Sequence, residues 1–507
     1  MSASSDTPDE PQRETPDDSA AVAGRLDDET IRRRGSAAMF YVLSWGFANL
    51  VITFFGSVVL ARLLSPRDFG LIAVGQTVAT LASTVAEGGI ASGFIRQSEG
   101  IALSVLRSIN GFQFVITLAF AAVLTPIALQ FGLAGAVTAL MLWSMPIASP
   151  QIAGRVVLGR ELRFRAIAIV EAVGVLAYYA WAIAGVVAGY GVWSLASGTV
   201  VRAGMSTLAV GGIVSWRLLV PSLARYRDVL AVIGFGIRFS LFNLTNVLYD
   251  QGKNIVIAAF GGTAALGLWV LAGRLLQVPY LMYQPINRVA FPAFSQFVAS
   301  GRDPRPVLER VVRLSFAAST LVLPAFLVAV PGVITSLFGA KWDDAALIFP
   351  GVIISFFIGV PVGSVCIQFL FAVGRPSYVL RVAVITSALN LAAIAVLMWI
   401  IGTSGIGFGT IPGAAVESIL LARLVHQLTG ARLFASMPAF SVASALAAAA
   451  GFVVGTVVGQ DFLGAFLAGT TAVAVSAVVC AATSRSVVAD LLSVGRRSVS
   501  TAIAEGQ

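Results

Sequence analysis

Apolar residues in this chain fall in blocks of about 20, the length at which an α-helix crosses roughly 30 Å of hydrocarbon. Composition agrees, since 58% of the 507 residues are hydrophobic and only 11% charged, against about 25% charge in a soluble domain. A backbone in lipid must satisfy its own hydrogen bonds, which leaves helices or closed barrels. Blocks this long specify helices. The fold class is therefore all-α: a polytopic membrane protein of about 14 transmembrane helices.

The expected spans are 39–61, 71–94, 109–129, 133–158, 166–188, 192–214, 229–251, 265–289, 311–330, 345–373, 378–401, 405–426, 438–458 and 462–483. Loop arginines test the count, because cytoplasmic loops accumulate them. Arg96, Arg107, Arg155, Arg160, Arg163, Arg165, Arg217, Arg225, Arg227, Arg302, Arg305, Arg310, Arg375 and Arg432 fall on one side, and only Arg62, Arg67, Lys253 and Lys341 on the other. An even span number with both termini in the cytoplasm follows. The protein is then multi-pass in the cell (inner or plasma) membrane.

Residues 1–30 hold nine acids against Arg13 and Arg25, a balance of −7 that leaves +16 for the rest of a chain whose net charge is +9. That excess is topological, so no nucleic acid partner is expected. Residues 1–34 read as a disordered acidic tail, because Pro, Ser and Asp cannot bury a core. Arg32, Arg33 and Arg34 stand before a full-length span, a pattern unlike a cleaved signal peptide.

An internal repeat orders the spans. At an offset of 197, Val58–Gly75 lies over Ile255–Ala272 without a gap, matching Val59 with Val256, Ala61 with Ala258, Gly70 with Gly267 and Leu71 with Leu268. Six spans separate the copies, so two lobes run in the same direction about an axis along the membrane normal, with a cavity between them. The expected division is an N-lobe at 35–214, a cytoplasmic linker at 215–228, a C-lobe at 229–427, a helix pair at 438–484 and a cytoplasmic tail at 485–507. Pro126, Pro146, Pro279, Pro324, Pro361 and Pro412 lie inside spans, where they permit kinks. Gly405, Gly409 and Gly413 place glycine at every fourth residue, a spacing for close helix contact.

Polar residues within spans point to function, because each costs several kcal/mol in lipid and turns toward protein or water. Ser240, Asn243, Asn246, Asp250 and Lys253 recur at helical spacing near the seventh span, and Arg274, Gln277, Tyr280, Gln284 and Asn287 in the eighth. The first half has Asn49 and Thr53 in the first span, with Gln76, Thr80, Ser83 and Glu87 in the second. The offset superposes Asn49 on Asn246, Thr80 on Gln277 and Glu87 on Gln284. A hydrated cavity lined by spans one, two, seven and eight is expected, with Arg274 and Arg238 as cationic sites for an anionic substrate. Two structural readings stand beside it: Asp250 and Lys253 as an ion pair, and Arg238 snorkelling to the interface. Glu87, Glu171, Asp250 and Glu417 are the candidates for coupling transport to an ion, with burial of a neutral acid as the alternative.

Cys366 and Cys480 lie in apolar blocks and read as packing residues. No phosphate-binding loop, zinc-protease or hydrolase motif occurs, so neither a catalytic residue, nor a metal, nor a cofactor is expected.

Four segments carry a resemblance: ARLLSPRDFGLIAVG (61–75) with the Glu87-Gly88-Gly89 turn and Phe94-Ile95-Arg96-Gln97 after it, FPAFSQ (291–296), LFGAKWDDAA (337–346) and AVGRPSYVLR (372–381). Together they resemble the Wzx-type polysaccharide and oligosaccharide flippases of the multidrug/oligosaccharidyl-lipid/polysaccharide (MOP) exporter superfamily. The resemblance implies a transporter that turns undecaprenyl-pyrophosphate-linked oligosaccharide from the inner to the outer leaflet for exopolysaccharide assembly, beside membrane lipid, a polysaccharide polymerase and glycosyltransferases. Where the family often has an acid before the asparagine of the seventh-to-eighth turn, this chain has Lys253-Asn254. The alternatives are a cation-coupled small-molecule or drug exporter of the same superfamily and a membrane-embedded polymerase or ligase. The last would need a large outer loop, and the loops here are short.

Overall fold

The computed structural model describes residues 28–87, 103–224, 226–281, 283, 290, 294–459 and 461–483, with side chains from Trp45 in the first helix and from Leu244 in the tenth. Among these residues the α-helices are α1 (Asp28–Leu63), α2 (Pro66–Glu87), α3 (Leu103–Ala128), α4 (Gly132–Leu142), α5 (Ser144–Ala148), α6 (Gln151–Arg160), α7 (Phe164–Val187), α8 (Val192–Ile213) and α9 (Trp216–Leu219). They continue as α10 (Tyr226–Leu281), α11 (Arg305–Val333), α12 (Phe349–Ala372), α13 (Pro376–Ile401), α14 (Ser404–Phe408), α15 (Ile411–Thr429), α16 (Met437–Val458) and α17 (Phe462–Thr483). A π-helical turn (Ile334–Phe338) and a 3-10 segment (Ala340–Ile348) join α11 to α12.

Each expected block contains helix, but the count of 14 is not reproduced as 14 separate apolar helices. Eleven helical stretches are long and apolar enough to cross a membrane among the described residues. The third and fourth blocks merge into one such stretch, 104–148, and the seventh and eighth into another, 244–281. The sixth block forms α8, which is long enough but carries Arg202, Thr199 and Ser206 on its cavity face. The fourth block is broken into α4, α5 and α6, and α1 begins at Asp28, inside the stretch read as tail.

Local chemistry explains the first turn and its repeat. Ser65 and Asp68 form a reciprocal capping box: Asp68 Oδ2 accepts from the Ser65 backbone N–H at 3.0 Å, and Ser65 Oγ accepts from the Asp68 N–H at 3.3 Å, with Pro66 at the first helical position. At the offset of 197 Ser65 corresponds to Gly262, where α10 breaks with φ 72° and ψ −176°. The residues 252–264 read as a loop are thus helical up to this single glycine. Lys253, expected in an outer loop, lies inside the helix, because the apolar run from Ile255 to Phe260 continues the turn register.

The backbone at Gly262 occupies a region nearly closed to residues with a side chain, at a cost of about 1–3 kcal/mol. A Cβ there meets nothing within 4 Å. Gly262→Ala is therefore expected to lower the thermal unfolding midpoint through conformation alone, and an unchanged midpoint in detergent would refute that assignment.

The two second-position helices cross at this end. A Cβ on Gly70 would strike the Thr263 carbonyl, and a Cβ on Gly267 the Pro66 carbonyl. Both pairs are related by the offset of 197, so the contact is pseudo-twofold. One hydrophobic core spans both lobes here, running from Leu60, Leu64 and Phe69 to Ile257, Leu266, Leu271, Phe338 and Trp342. Among the described residues the cores at the opposite end are separate: Leu106, Ile109, Val156 and Leu218 belong to the first lobe, and Phe294, Phe316, Phe369 and Phe440 to the second. The lobes are joined at the end carrying the α1–α2 turn and part toward the other. α16 and α17 pack on α11. Gly405, Gly409 and Gly413 abut Leu397, Ile394 and Asn390 of α13.

Candidate transport cavity

A cavity of about 700 Å³ opens among α1, α2, α3, α5, α6, α7 and α8, with Asn254, Val270 and Arg274 of α10 completing one wall. Its position follows from the parting of the lobes: among the described residues the first lobe supplies most of the lining, and Asn254, Val270 and Arg274 of the second close one side. Leu60, Phe69, Ile72, Leu195 and Val270 form an apolar region toward the joined end. Polar side chains occupy the remainder, including Asn49, Thr53, Gln76, Thr80, Gln113 and Gln151.

The charged lining is unequal. Among the described residues it consists of Arg155, Arg202 and Arg274 against Glu87. Tyr178 lies close enough to both Arg202 and Arg274 to interact electrostatically with each, which places a guanidinium from each lobe around one aromatic side chain. Arg155 interacts with Glu87, Glu171 and Arg202. The described ion pairs, Arg163–Glu161 and Lys253–Asp250, involve none of the three arginines. Among the described residues no hydrogen bond occupies the three guanidiniums, which face a hollow, and a guanidinium's fork geometry is one that matches phosphate and carboxylate oxygens.

The aromatic wall is fixed by hydrogen bonds. Tyr179 Oη donates to the Thr53 carbonyl at 3.1 Å and lies 3.3 Å from Ser57 Oγ, pinning α7 to α1. Its ring fills the space beside Gly56, where a Cβ would collide. Asn254 Nδ2 donates to Thr77 Oγ1 at 3.1 Å across the lobe boundary.

Of the residues expected to line the path, the structure brings together Asn49, Gln76, Thr80, Glu87 and Arg274. The others part company. Asn246, Gln277 and Tyr280 are exposed and outside the lining, as is Asp250. Lys253 is held away from the cavity: its Nζ lies 3.2 Å from Asp250 Oδ1 and sits over the rings of Tyr249 and Trp269 at 4.7 and 4.9 Å. The ion-pair alternative describes that geometry. Gln284, Asn287 and the side chains of Arg238, Ser240 and Asn243 lie outside the described residues. Glu171 accepts the indole N–H of Trp45 at 2.7 Å and sits behind the lining rather than in it. Glu417 is half-buried on α15, also outside the lining.

Arg202 and Tyr178 were missed, and Arg155 was read as a loop charge. The signal for Arg202 was present, since it interrupts an apolar block just as Arg274 does.

A family model described as polysaccharide biosynthesis protein matches residues 59–347. The succinoglycan biosynthesis transport protein ExoT of Rhizobium meliloti is 25% identical over 385 residues, 73% of each chain. The lipopolysaccharide biosynthesis protein WzxC of Escherichia coli is 25% identical over 412 residues, 78% of this chain and 80% of its own. Among solved structures, the lipid II flippase MurJ in an inward closed conformation superposes with a TM-score of 0.66 at 15% identity, covering 89% of this chain and all of that one. An inward-facing multidrug resistance MATE transporter of the MOP superfamily superposes at 0.60 and 14% identity, covering 75% of this chain and 94% of its own. These two likenesses show the fold.

Proposed function

Because the chain belongs to the polysaccharide biosynthesis protein family and has the fold of MOP superfamily transporters, we propose that it turns undecaprenyl-pyrophosphate-linked oligosaccharide from the inner to the outer leaflet for cell-surface glycan assembly. The observation that carries this reading is the cavity itself: three arginines without a hydrogen bond among the described residues, set among amide and hydroxyl side chains. A diphosphate takes the guanidiniums, sugar hydroxyls take Asn, Gln and Thr, and the isoprenoid tail stays in lipid along α1. Phe47, Val51, Phe55, Val59 and Leu63 are exposed at every fourth residue, a stripe that winds slowly round α1. That stripe suits an acyl or isoprenoid neighbour.

Both termini lie in the cytoplasm in this reading, so the joined end is outermost and the lobes part toward the inner leaflet. The cycle is alternating access by rocking of the two lobes. The names of ExoT and WzxC support a glycan cargo. A cationic drug is disfavoured, since it would face three guanidiniums and one carboxylate. The protein performs transport rather than bond chemistry, and hands its cargo to a polymerase supplied by glycosyltransferases.

Deletion of the gene in the producing cell, followed by leaflet-resolved analysis of lipid-linked sugars, is expected to show inner-leaflet accumulation and loss of surface polymer. Unchanged glycans with altered drug tolerance would move the chain to the exporter class.

A further inference from the structure

Two of the sequence segments singled out above, ARLLSPRDFG (61–70) and LFGAKWDDAA (337–346), meet each other at the joined end, although about 270 residues separate them. Arg62 Nε donates to the Leu337 carbonyl at 2.7 Å, and the same guanidinium donates to the Ser336 carbonyl. In return Lys341 Nζ donates to the Arg62 carbonyl at 2.9 Å, and Trp342 Nε1 to the Ala61 carbonyl at 3.0 Å. Each acceptor lies at a helix C-terminus: Ala61 and Arg62 in the last turn of α1, Ser336 and Leu337 in the π-helical turn ending at Gly339. Carbonyls at such ends lack intrahelical partners and carry the negative end of the helix dipole.

The geometry points to a reciprocal latch: a cation from each lobe caps a helix of the other, and this pair of caps holds the cavity shut on its outer side until cargo is released. The proposal rests on the alternating-access reading above. Its chemistry suits release. Arg62 and its bonds to 336 and 337 are exposed, as is the Lys341 bond, so on opening water takes over both cations and both sets of carbonyls. Trp342 is different. Its indole is fully buried and packs edge-on to Phe69 at 5.0 Å, which sets the register in which the two caps re-form. The contact pairs the segment just before α2 with the connection that leads into α12, so a rocking motion that separates the lobes at this end must break all four hydrogen bonds together. Ser65 with Asp68 and Thr335 with Asp343 are satisfied within their own lobes, whereas Arg62, Lys341 and Trp342 direct their donors across the boundary, each onto the opposite segment or the turn before it.

The test uses full-length protein with Cys366 and Cys480 replaced by alanine and a reporter, Ala73→Cys, on the cavity lining just beneath the latch. A membrane-impermeant maleimide is applied from outside intact cells. Removing both caps (Arg62→Ala with Lys341→Ala) is expected to raise labelling by about threefold to tenfold, in line with the loss of a small number of solvent-accessible hydrogen bonds. Labelling no higher than in the parent overturns the latch. Independently, Arg62→Cys with Ser336→Cys, bridged by a short bifunctional thiol reagent with a reducible spacer, is expected to stop glycan export and to recover it on reduction. Export at the parental rate while bridged overturns the latch by a second route. If labelling rises as expected in cells whose surface glycan never depended on this protein, the latch stands and the cargo assignment falls.

Discussion

Replacing Arg202 and Arg274 together with alanine is expected to reduce glycan export by about a hundredfold to ten-thousandfold while the protein stays folded. Each guanidinium offers charge-assisted hydrogen bonds worth about 1.5–3 kcal/mol to a diphosphate, and about 1.4 kcal/mol is a factor of ten. The two residues come from α8 and α10, one in each lobe, and both reach the electrostatic neighbourhood of Tyr178. An anion held between them therefore ties the lobes together as well as being bound. Folding should survive, because neither arginine belongs to a described ion pair and their removal leaves no carboxylate stranded. Lysine at both positions should restore only part of the rate, since an ammonium supplies the charge without the planar fork. Initial rates of polymer appearance, normalised to folded protein in the membrane, decide the matter. Parental export from the double alanine variant would remove these residues from the cargo site.

Placing valine at both Gly70 and Gly267 is expected to prevent closure of the joined end. Each new Cβ points at a carbonyl of the opposing helix, that of Thr263 or Pro66, and backbone cannot yield as a flexible side chain can. Overpacking costs about 1–3 kcal/mol per site, so two sites shift the balance between closed and parted lobes by about thirtyfold to twenty-thousandfold. Ala73→Cys in this background should be labelled from outside more strongly than after loss of the two caps, and export should fall because the inward-open state is rarely reached. Gly46→Ala is the control: a Cβ at Gly46 meets nothing within 4 Å, so export should match the parent. Parental labelling and export in the double valine variant would show that the crossing does not set the closed state.

The same crossing shows how far the sequence could be read. An offset of 197 residues pairs Ser65 with Gly262, Pro66 with Thr263 and Gly70 with Gly267, and in the structure those residues form the two halves of one contact. The apolar blocks likewise became helices. The turn between the seventh and eighth blocks was less legible, because Gly262 breaks the helix in one residue where a charged and glycine-rich break suggested a loop of about a dozen. The polar stripe near the seventh block illustrates a second limit. Helical spacing gathers Asn246, Asp250 and Lys253 onto one face, but spacing alone does not say what faces it, and Lys253 turned to Asp250 and two aromatic rings.

The placement of the cavity was beyond periodicity altogether. Equal stripes in two repeated lobes suggested equal contributions, whereas among the described residues the first lobe supplies most of the lining. Arg155 was placed among the loop charges because the fourth block is broken into three short helices, which turns a residue near an expected loop into the cavity. Glu87, Asn49, Gln76, Thr80 and Arg274 were found because a polar side chain in an apolar block is costly unless it faces water or protein.

The most direct test of the central assignment is translocation in proteoliposomes containing only this protein and a fluorescent polyprenyl-diphosphate oligosaccharide, with the exposed leaflet read by an impermeant quencher. Transfer between leaflets that requires the diphosphate-linked glycan, and that is lost with Arg202→Ala and Arg274→Ala, is the predicted result. Transfer no faster than in protein-free vesicles, or equal transfer by the double variant, would contradict it.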